Sequence, residues 1–228
     1  MFFSISLVLR IPCHERNIGM LRRRVLDVPY LVQPTSNTCQ STCLKMFAAY
    51  LAKKTLVSNP GAAKPIQDIW KEINTGTARP SQVRNSYQNM IWWLGKYFAP
   101  KQFHVTSLKA VDDAIRKVVH CIDHDYPVMV STNHSRTSGH IILVIGYETS
   151  VVASAPNTHF ICHDPYGKFD PQLLSKTYGS RRYEGGVSLP SGGEIGPGKN
   201  VVYDYDGIRR IRKDKHSTDT FFLISALC

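Results

Sequence analysis

The sequence has no long apolar run and comparatively few acidic residues. None of its hydrophobic segments approaches the roughly 20 residues that a helix needs to cross a bilayer, so we expect no membrane span. The 228 residues include 17 Asp and Glu against 28 Lys and Arg, a formal net charge of +11. A protein this basic is expected to meet an anionic partner such as nucleic acid, a membrane surface or an acidic cell-wall polymer.

Cysteine is sparse as well. The 6 cysteines are scattered over the chain, a pattern that does not predict a disulfide scaffold, and a chain of this length can bury a core without one. A secretory signal places basic residues ahead of its apolar core, and residues 1–25 do not follow that order. We therefore expect synthesis in a reducing cytoplasm without a clear signal peptide. We divide the chain into an N-terminal extension, residues 1–25, and one domain, residues 26–228.

Hydrophobic periodicity changes along the chain from helical to extended. Spacings of three and four predict helices over residues 38–51, 66–74, 81–98 and 108–123. Residues rich in β-branched and aromatic side chains predict strands over 128–132, 141–147, 159–163, 201–205 and 220–226. Helices that precede strands, without alternation between them, indicate an α+β domain.

Cys39 stands at the predicted start of the first helix. The positive end of a helix favours a thiolate over a thiol, which makes this position suitable for a nucleophile. Cys43 lies one turn deeper on the apolar face, where burial favours an inert structural thiol. Gln33 ends a short extended segment six residues before Cys39, and its amide can donate to an oxyanion beside the Cys39 backbone N–H.

His140 and Asp164 flank two of the predicted strands. His140 precedes the apolar strand over 141–147, and Asp164 follows the strand over 159–163. If a hairpin around residues 148–157 joins these strands, with 147 opposite 157, the paired residue numbers sum to about 304 and His140 lies beside Asp164. A base next to its orienting acid is the arrangement that a cysteine nucleophile requires.

The order of these residues resembles the papain-fold peptidases of the C39-like group. Gln33 and Cys39 at a helix start, a Gly-His pair at 139–140 that opens an apolar strand, and Asp164 before a proline carry this resemblance. It implies an N-terminal helical part that carries the nucleophile helix and packs on an antiparallel β-sheet. It also implies Cys39 as the nucleophile, His140 as general base and acid, Asp164 as the orienting residue and Gln33 as the oxyanion donor.

The resemblance implies a cysteine peptidase that cleaves an amide bond through a thioester, with no metal and no cofactor. Gln40 departs from the pattern, because many relatives carry glycine directly after the cysteine. A compact basic enzyme without a transport domain fits a lysin-like peptidoglycan endopeptidase that acts on the cell wall after release. Two alternatives remain open: a protease that processes a leader or host protein, and a non-catalytic papain-like module that binds an anionic surface.

Other charged and metal-ligating residues permit further hypotheses. His120 and His124 stand four residues apart and can bind zinc, although a zinc-peptidase helix carries its glutamate directly after the first histidine. A polar helix end is the favoured interpretation. The basic segments at 22–24 and 209–216 are either a solvated face or a docking surface for an anionic polymer. Nucleic acid is the less favoured partner, because the tryptophans fall on amphipathic helices and not in an exposed stacking surface.

Overall fold

The computed structural model describes residues 22–132, 140–152, 155–169, 183–184, 196–204 and 221–226. The helices are α1 (Cys39–Thr55), α2 (Pro60–Ala63), α3 (Ile66–Thr75), α4 (Tyr87–Phe98) and α5 (Val111–Asp123). The strands are β1 (Arg22–Val25), β2 (Phe103–Leu108), β3 (Val128–Thr132), β4 (His140–Val152), β5 (Ala155–His163), β6 (Lys168–Phe169), β7 (Tyr183–Glu184), β8 (Val201–Asp204) and β9 (Phe221–Ala226). In this part of the chain, none of the helices has the length and apolar character that a bilayer crossing requires.

Two of the predicted helices are shorter in the structure than expected. The helix predicted over 81–98 begins only at Tyr87, because the Asn89 side chain bonds the backbone of Ser81 through both its oxygen and its nitrogen. These bonds hold residues 81–86 in a loop. The helix predicted over 108–123 begins at Val111, and the residues before it form β2, a strand that the periodicity missed.

The strands form a seven-stranded antiparallel sheet, with two further short strands, β6 and β7, paired separately. The strand order is β2-β9-β3-β4-β5-β8, and β1 pairs with β4 beyond the end of β3. Residues 22–25, which we had included in the N-terminal extension, therefore form a strand of this sheet. A helical N-terminal part against an antiparallel sheet confirms the predicted α+β class.

Helix α1 packs against β4 and carries much of the core. Of its apolar side chains, Cys43, Leu44, Met46, Phe47, Ala48 and Leu51 are fully buried. The Phe47 ring meets Phe103 of β2 edge to face at 6.0 Å between ring centroids. Burial of an aliphatic or aromatic side chain contributes about 1.5–3 kcal/mol each, so this helix is held firmly on the sheet. Its first residue, Cys39, is consequently fixed in position relative to the strands.

The hairpin of β4 and β5 differs from the predicted one. The strands are longer than expected, and the paired residue numbers sum to 307 from Val152 opposite Ala155 to Gly146 opposite Ile161. A β-bulge between Val144 and Gly146 then inserts one residue into β4 and lowers the sum to 306. The predicted sum of about 304 was wrong.

The bulge determines which side chains share a face of the sheet. Val144 pairs with Cys162, so Asp164, two residues beyond Cys162, lies on the same face as Val144 and His140. Without the inserted residue, the sum of 307 would place Asp164 and His140 on opposite faces.

Candidate active site

Cys39 is the first residue of α1 and is 5% exposed. Thr38 occupies the N-cap position, but its hydroxyl donates to the Thr35 carbonyl oxygen and not to the helix. The first turn, formed by Cys39, Gln40 and Ser41, carries no charge. The partial positive charge of the helix start therefore acts on the Cys39 sulfur without an acidic side chain in the first turn to offset it.

His140 joins Cys39 to a buried carboxylate. The His140 Nε2 atom lies 2.7 Å from Asp164 Oδ1, and the His140 ring also hydrogen-bonds the Cys39 side chain. Because Nε2 is paired with Asp164, Nδ1 is the ring nitrogen that remains for the thiol. The structure thus brings Cys39, His140 and Asp164 together in the order that the sequence suggested.

The electrostatic environment of His140 favours its protonated form. Burial disfavours the imidazolium, but the charge of Asp164, the hydrogen bond to that carboxylate and the interaction with Cys39 outweigh burial and raise the pKa of His140 to about 10. At neutral pH the ring therefore carries a proton. A protonated imidazole beside a thiol at a helix start is the pairing that stabilises a thiolate.

Asp164 is completely buried and fully hydrogen-bonded. Its Oδ1 accepts from His140 Nε2 and from the Tyr166 backbone N–H at 3.0 Å, and its Oδ2 accepts from the Tyr203 hydroxyl at 3.1 Å. An ionised carboxylate inside a protein needs such donors, because an unpaired buried charge is strongly unfavourable. The three donors fix the orientation of the carboxylate toward His140. The Tyr166 ring also contacts the His140 ring edge to face at 6.1 Å.

Gln33 lies next to the turn that carries Asp164. Its backbone N–H donates to the Pro165 carbonyl oxygen at 2.9 Å, and its side-chain Nε2 donates to the Thr35 carbonyl oxygen at 2.7 Å. An amide nitrogen has two hydrogens, so one N–H remains after the bond to Thr35. Gln33 is 1% exposed, and its Oε1 has no hydrogen-bond partner within the described ranges. The side chain is thus anchored at Thr35 and has one amide N–H that this bond does not use.

Gln40, the departure from the family pattern, is accommodated inside the protein. Its side chain is 5% exposed, and among the residues that the structure describes its Oε1 has no hydrogen-bond partner. A buried polar atom without a partner costs about 1–3 kcal/mol. Gln40, the residue after the nucleophile, therefore reduces the free energy of unfolding.

Three other cysteine and histidine side chains near the site occupy structural positions. Burial raises the pKa of Cys43, whose thiol donates to the Ile141 carbonyl oxygen at 3.4 Å, and burial likewise raises the pKa of Cys162. His163 Nε2 donates to the Val28 carbonyl oxygen at 2.9 Å, and its Nδ1 accepts from a backbone N–H. Burial lowers the pKa of His163, so this ring is neutral and both of its nitrogens are occupied.

Among the residues that the structure describes, no third ligand joins His120 and His124 to form a zinc site. The two rings contact each other at 4.2 Å between centroids, and His124 Nδ1 pairs with the His120 carbonyl oxygen at 2.8 Å. Across the described ranges, no group of three His, Cys, Asp or Glu side chains is arranged to hold a metal ion. The pair lies at the end of α5, where the dipole of the helix favours a positive charge.

One of the two basic segments is neutralised by acidic partners. Arg22 pairs with Asp123 at 2.8 Å, Arg23 with Glu148 at 2.5 Å, and Arg24 with Asp125 at 2.6 Å. These ion pairs fasten β1 to α5 and β4. The second basic segment, residues 209–216, lies outside the described residues.

Sequence reasoning missed two tyrosines at this site. Tyr203 belongs to a predicted strand, but no local pattern marks its contact with Asp164, 39 residues away. Tyr87 stacks on Phe222 at 4.9 Å between ring centroids, hydrogen-bonds Ser131, and lies close enough to Cys39 for the two groups to interact electrostatically. Both contacts depend on tertiary packing of distant segments, so nothing in the sequence nearby could have indicated them.

Comparison with known proteins identifies a family. The model of the Peptidase_C39 like family matches residues 25–185, which include Gln33, Cys39, His140 and Asp164. No curated protein matches the chain. The matched span covers more than half of the sequence and agrees with the mixed helical and antiparallel fold expected of a papain-like peptidase. The chain belongs to the Peptidase_C39 like family.

Proposed function

We propose that the chain is a cysteine peptidase that hydrolyses the peptide stems of bacterial peptidoglycan through a thioester intermediate. One observation supports this chemistry above all: the His140 ring reaches both the Asp164 carboxylate and the Cys39 side chain. A peptidase of this class needs a thiolate, a proton donor and acceptor, and a group that orients the latter. Cys39, His140 and Asp164 supply these three functions.

In the first step, the Cys39 thiolate attacks the carbonyl carbon of the scissile amide. The carbonyl π electrons move to the oxygen, where the remaining N–H of the Gln33 amide and the Cys39 backbone N–H stabilise the negative charge. The C–N bond then breaks, and His140 Nδ1 gives its proton to the leaving amine nitrogen. The products of this step are a thioester on Cys39, a free amine and a neutral His140.

In the second step, a water molecule attacks the thioester carbonyl. His140 Nδ1 takes a proton from this water, and the C–S bond breaks to release the acid product and the Cys39 thiolate. His140 is again protonated, so the site returns to its starting state. Throughout both steps, Asp164 holds the ring in one orientation and stabilises its charge.

The charge of the chain supports an anionic polymer as the substrate. A formal net charge of +11 favours association with the acidic cell wall, on which many charges act together. Residues 22–24 already form ion pairs within the protein. We therefore assign docking onto the cell wall to residues 209–216.

The chemistry is tested with purified peptidoglycan and a matched pair of variants. Cys39→Ala should abolish the release of new amino termini, measured by amine labelling and mass spectrometry, while circular dichroism shows an intact fold. Cys43→Ala removes a thiol one turn away, which the structure shows buried, and should retain most of the activity. Equal loss in both variants would contradict Cys39 as the nucleophile.

Salt dependence tests the substrate separately from the chemistry. The Debye length falls from about 10 Å at 0.1 M salt to about 3 Å at 1 M, so digestion of cell wall that depends on long-range attraction should decrease steeply over this range. Cleavage of a small neutral peptide should change little. Charge reversal at Arg209, Arg210, Arg212 and Lys213 should reproduce the effect of salt.

The alternatives give different results in the same assays. Cleavage of peptides without digestion of cell wall would indicate a protease that processes a leader or host protein. Binding to cell wall without cleavage of any peptide, unchanged in Cys39→Ala, would indicate a non-catalytic module.

A further inference from the structure

The segment over residues 196–204 contacts both the backbone and the carboxylate of Asp164. The Asp164 backbone N–H donates to the Gly198 carbonyl oxygen at 2.9 Å, and the Tyr203 hydroxyl donates to Asp164 Oδ2 at 3.1 Å. Between them, the Asn200 backbone N–H donates to His163 Nδ1 at 3.3 Å. One segment thus holds the backbone and the carboxylate of Asp164 as well as the residue before it.

The fit between Gly198 and Asp164 leaves no room for a side chain. A Cβ atom on Gly198 would lie 1.9 Å from the Asp164 carbonyl oxygen. The pairing of β8 with β5, in register from His159 opposite Asp204 to Cys162 opposite Val201, fixes the segment at this distance. The close approach therefore belongs to the way the sheet is built.

This segment lies beyond the family match, which ends at residue 185. We infer that residues 196–204 form a positioning segment of the active site, in which Tyr203 orients the Asp164 carboxylate toward His140 and Gly198 holds its backbone. The inference rests on the proposed function, since it assigns a role in the same reaction. It adds a fourth side chain, Tyr203, to the Cys39, His140 and Asp164 arrangement.

The physical basis is hydrogen bonding to the charged form of a carboxylate. A donor such as the Tyr203 hydroxyl stabilises the negative charge and removes one rotational freedom of the group. If this donor is lost, the carboxylate holds the His140 ring less firmly beside the Cys39 sulfur. A protonated ring that is less well placed stabilises the thiolate less, so the reactivity of Cys39 should be lost at higher pH during acidification.

Four other titratable groups lie near Asp164. Burial raises the pKa values of Tyr30, Cys43 and Cys162, so these three stay neutral in the acid range. Burial lowers the pKa of His163, so this ring gains a charge only on acidification. Because His163 is present in every variant compared below, a change seen in one variant and not in the other reports on Cys39, His140 and Asp164.

The chain offers a matched control for Tyr203→Phe. Tyr30 is 3% exposed and Tyr203 is 5% exposed, and each hydroxyl donates to Asp164 at 3.1 Å. Tyr30 bonds the backbone carbonyl oxygen, however, whereas Tyr203 bonds the carboxylate. Replacement of either tyrosine by phenylalanine removes one hydroxyl and one bond to Asp164. Tyr30→Phe also removes the bond between the Tyr30 hydroxyl and the Gly198 backbone, but only Tyr203→Phe removes a donor to the charged group.

The experiment measures the rate of Cys39 alkylation by iodoacetamide from pH 4 to pH 8 in the full chain. In Tyr203→Phe, the acid limb of the profile should move to higher pH by about one unit, while Tyr30→Phe should keep the profile of the parent protein. Unchanged profiles in both variants, or equal shifts in both, would overturn the inference. Gly198→Ala provides a second variant and should shift the same limb by displacing Asp164.

The readout does not require turnover. A parent protein that shows the expected alkylation profile but cleaves no peptide would contradict the proposed function and leave the role of Tyr203 to be judged on the profile alone. A parent protein that cleaves peptide, with Tyr203→Phe indistinguishable from it at every pH, would contradict the positioning role and leave the proposed function intact.

Discussion

Asp164→Asn separates the charge of the Asp164 carboxylate from its shape. An asparagine with its oxygen at the Oδ1 position still accepts from His140 Nε2 and from the Tyr166 backbone N–H, which lie 2.7 Å and 3.0 Å away in the parent protein. Its NH2 group then faces the Tyr203 hydroxyl, which can accept a hydrogen bond in place of donating one. The geometry is retained, and the negative charge is lost.

The consequence for His140 follows from the causes of its pKa. Burial lowers that pKa, whereas the charge of Asp164, the hydrogen bond to it and, less strongly, the interaction with Cys39 raise the value to about 10. Without the charge of Asp164, burial outweighs the remaining interaction with Cys39, and the pKa should fall to the ordinary value of about 6.5 or below. At pH 8.5 the protonated fraction of the ring would then decrease about 100-fold, because each pH unit above the pKa reduces this fraction about tenfold.

Two measurements test this magnitude. Nuclear magnetic resonance of the imidazole nitrogens should show the titration of His140 move from near pH 10 to below pH 7. The rate of peptide hydrolysis at pH 8.5 should fall about 100-fold, with a smaller loss near pH 5.5, where the ring is protonated in both proteins. Asp125→Asn, at an exposed ion pair with Arg24, serves as the control and should leave both values unchanged. A His140 titration that stays near pH 10 in Asp164→Asn would refute the reasoning.

Further expectations concern the neighbouring residues. Iodoacetamide at mildly acidic pH should label Cys39 much faster than Cys43, whose pKa burial raises, and peptide mapping that finds equal labelling would exclude the assignment. Gln33→Ala should lower kcat about 100-fold through loss of one oxyanion donor, and an unchanged kcat would remove Gln33 from the mechanism. His163→Ala should reduce the free energy of unfolding but keep measurable turnover, because both ring nitrogens are occupied by backbone groups. Folding raises the pKa of His140 from 6.5 to about 10, so protonation of this ring contributes fully to the free energy of unfolding below pH 6.5, and the contribution is lost as the pH rises toward 10. Urea unfolding of the parent protein should show this decline, and urea unfolding of His140→Gln should not.

Local signals in the sequence were sufficient to find the nucleophile helix. The turn residues before Cys39 and the apolar spacing after it mark a helix start, and α1 begins at that residue. The strand β2 was missed because its apolar and polar residues alternate only from Phe103 to Thr106, and Leu108 fits the helical pattern of α5. Its place is set by pairing with β9, which lies more than one hundred residues later in the chain.

The contact between His140 and Asp164 was expected for a reason that was only partly right. The predicted sum of 304 and the observed sum of 306 differ by two, and an even shift leaves both side chains on the same face of the hairpin. The longer strands alone would have produced 307, an odd shift that turns them to opposite faces. The bulge between Val144 and Gly146 lowers the sum to 306 and returns both side chains to the same face. No pattern of apolar residues in the sequence indicates this bulge.

The contacts of β1 and of Leu26 with β4 explain why the bulge occurs between Val144 and Gly146. A Cβ atom on Gly146 would lie 2.4 Å from the Arg24 carbonyl oxygen, so β1 can pair with β4 here only because residue 146 is a glycine. The Leu26 N–H donates to the carbonyl oxygen of Ile145, the inserted residue, at 2.8 Å and thereby satisfies a group that the β4–β5 ladder leaves unpaired. The segment that follows β1 thus stabilises the irregularity that brings His140 onto the face of Asp164. Strand pairing remote from the reaction therefore determines whether the base and its orienting acid can meet.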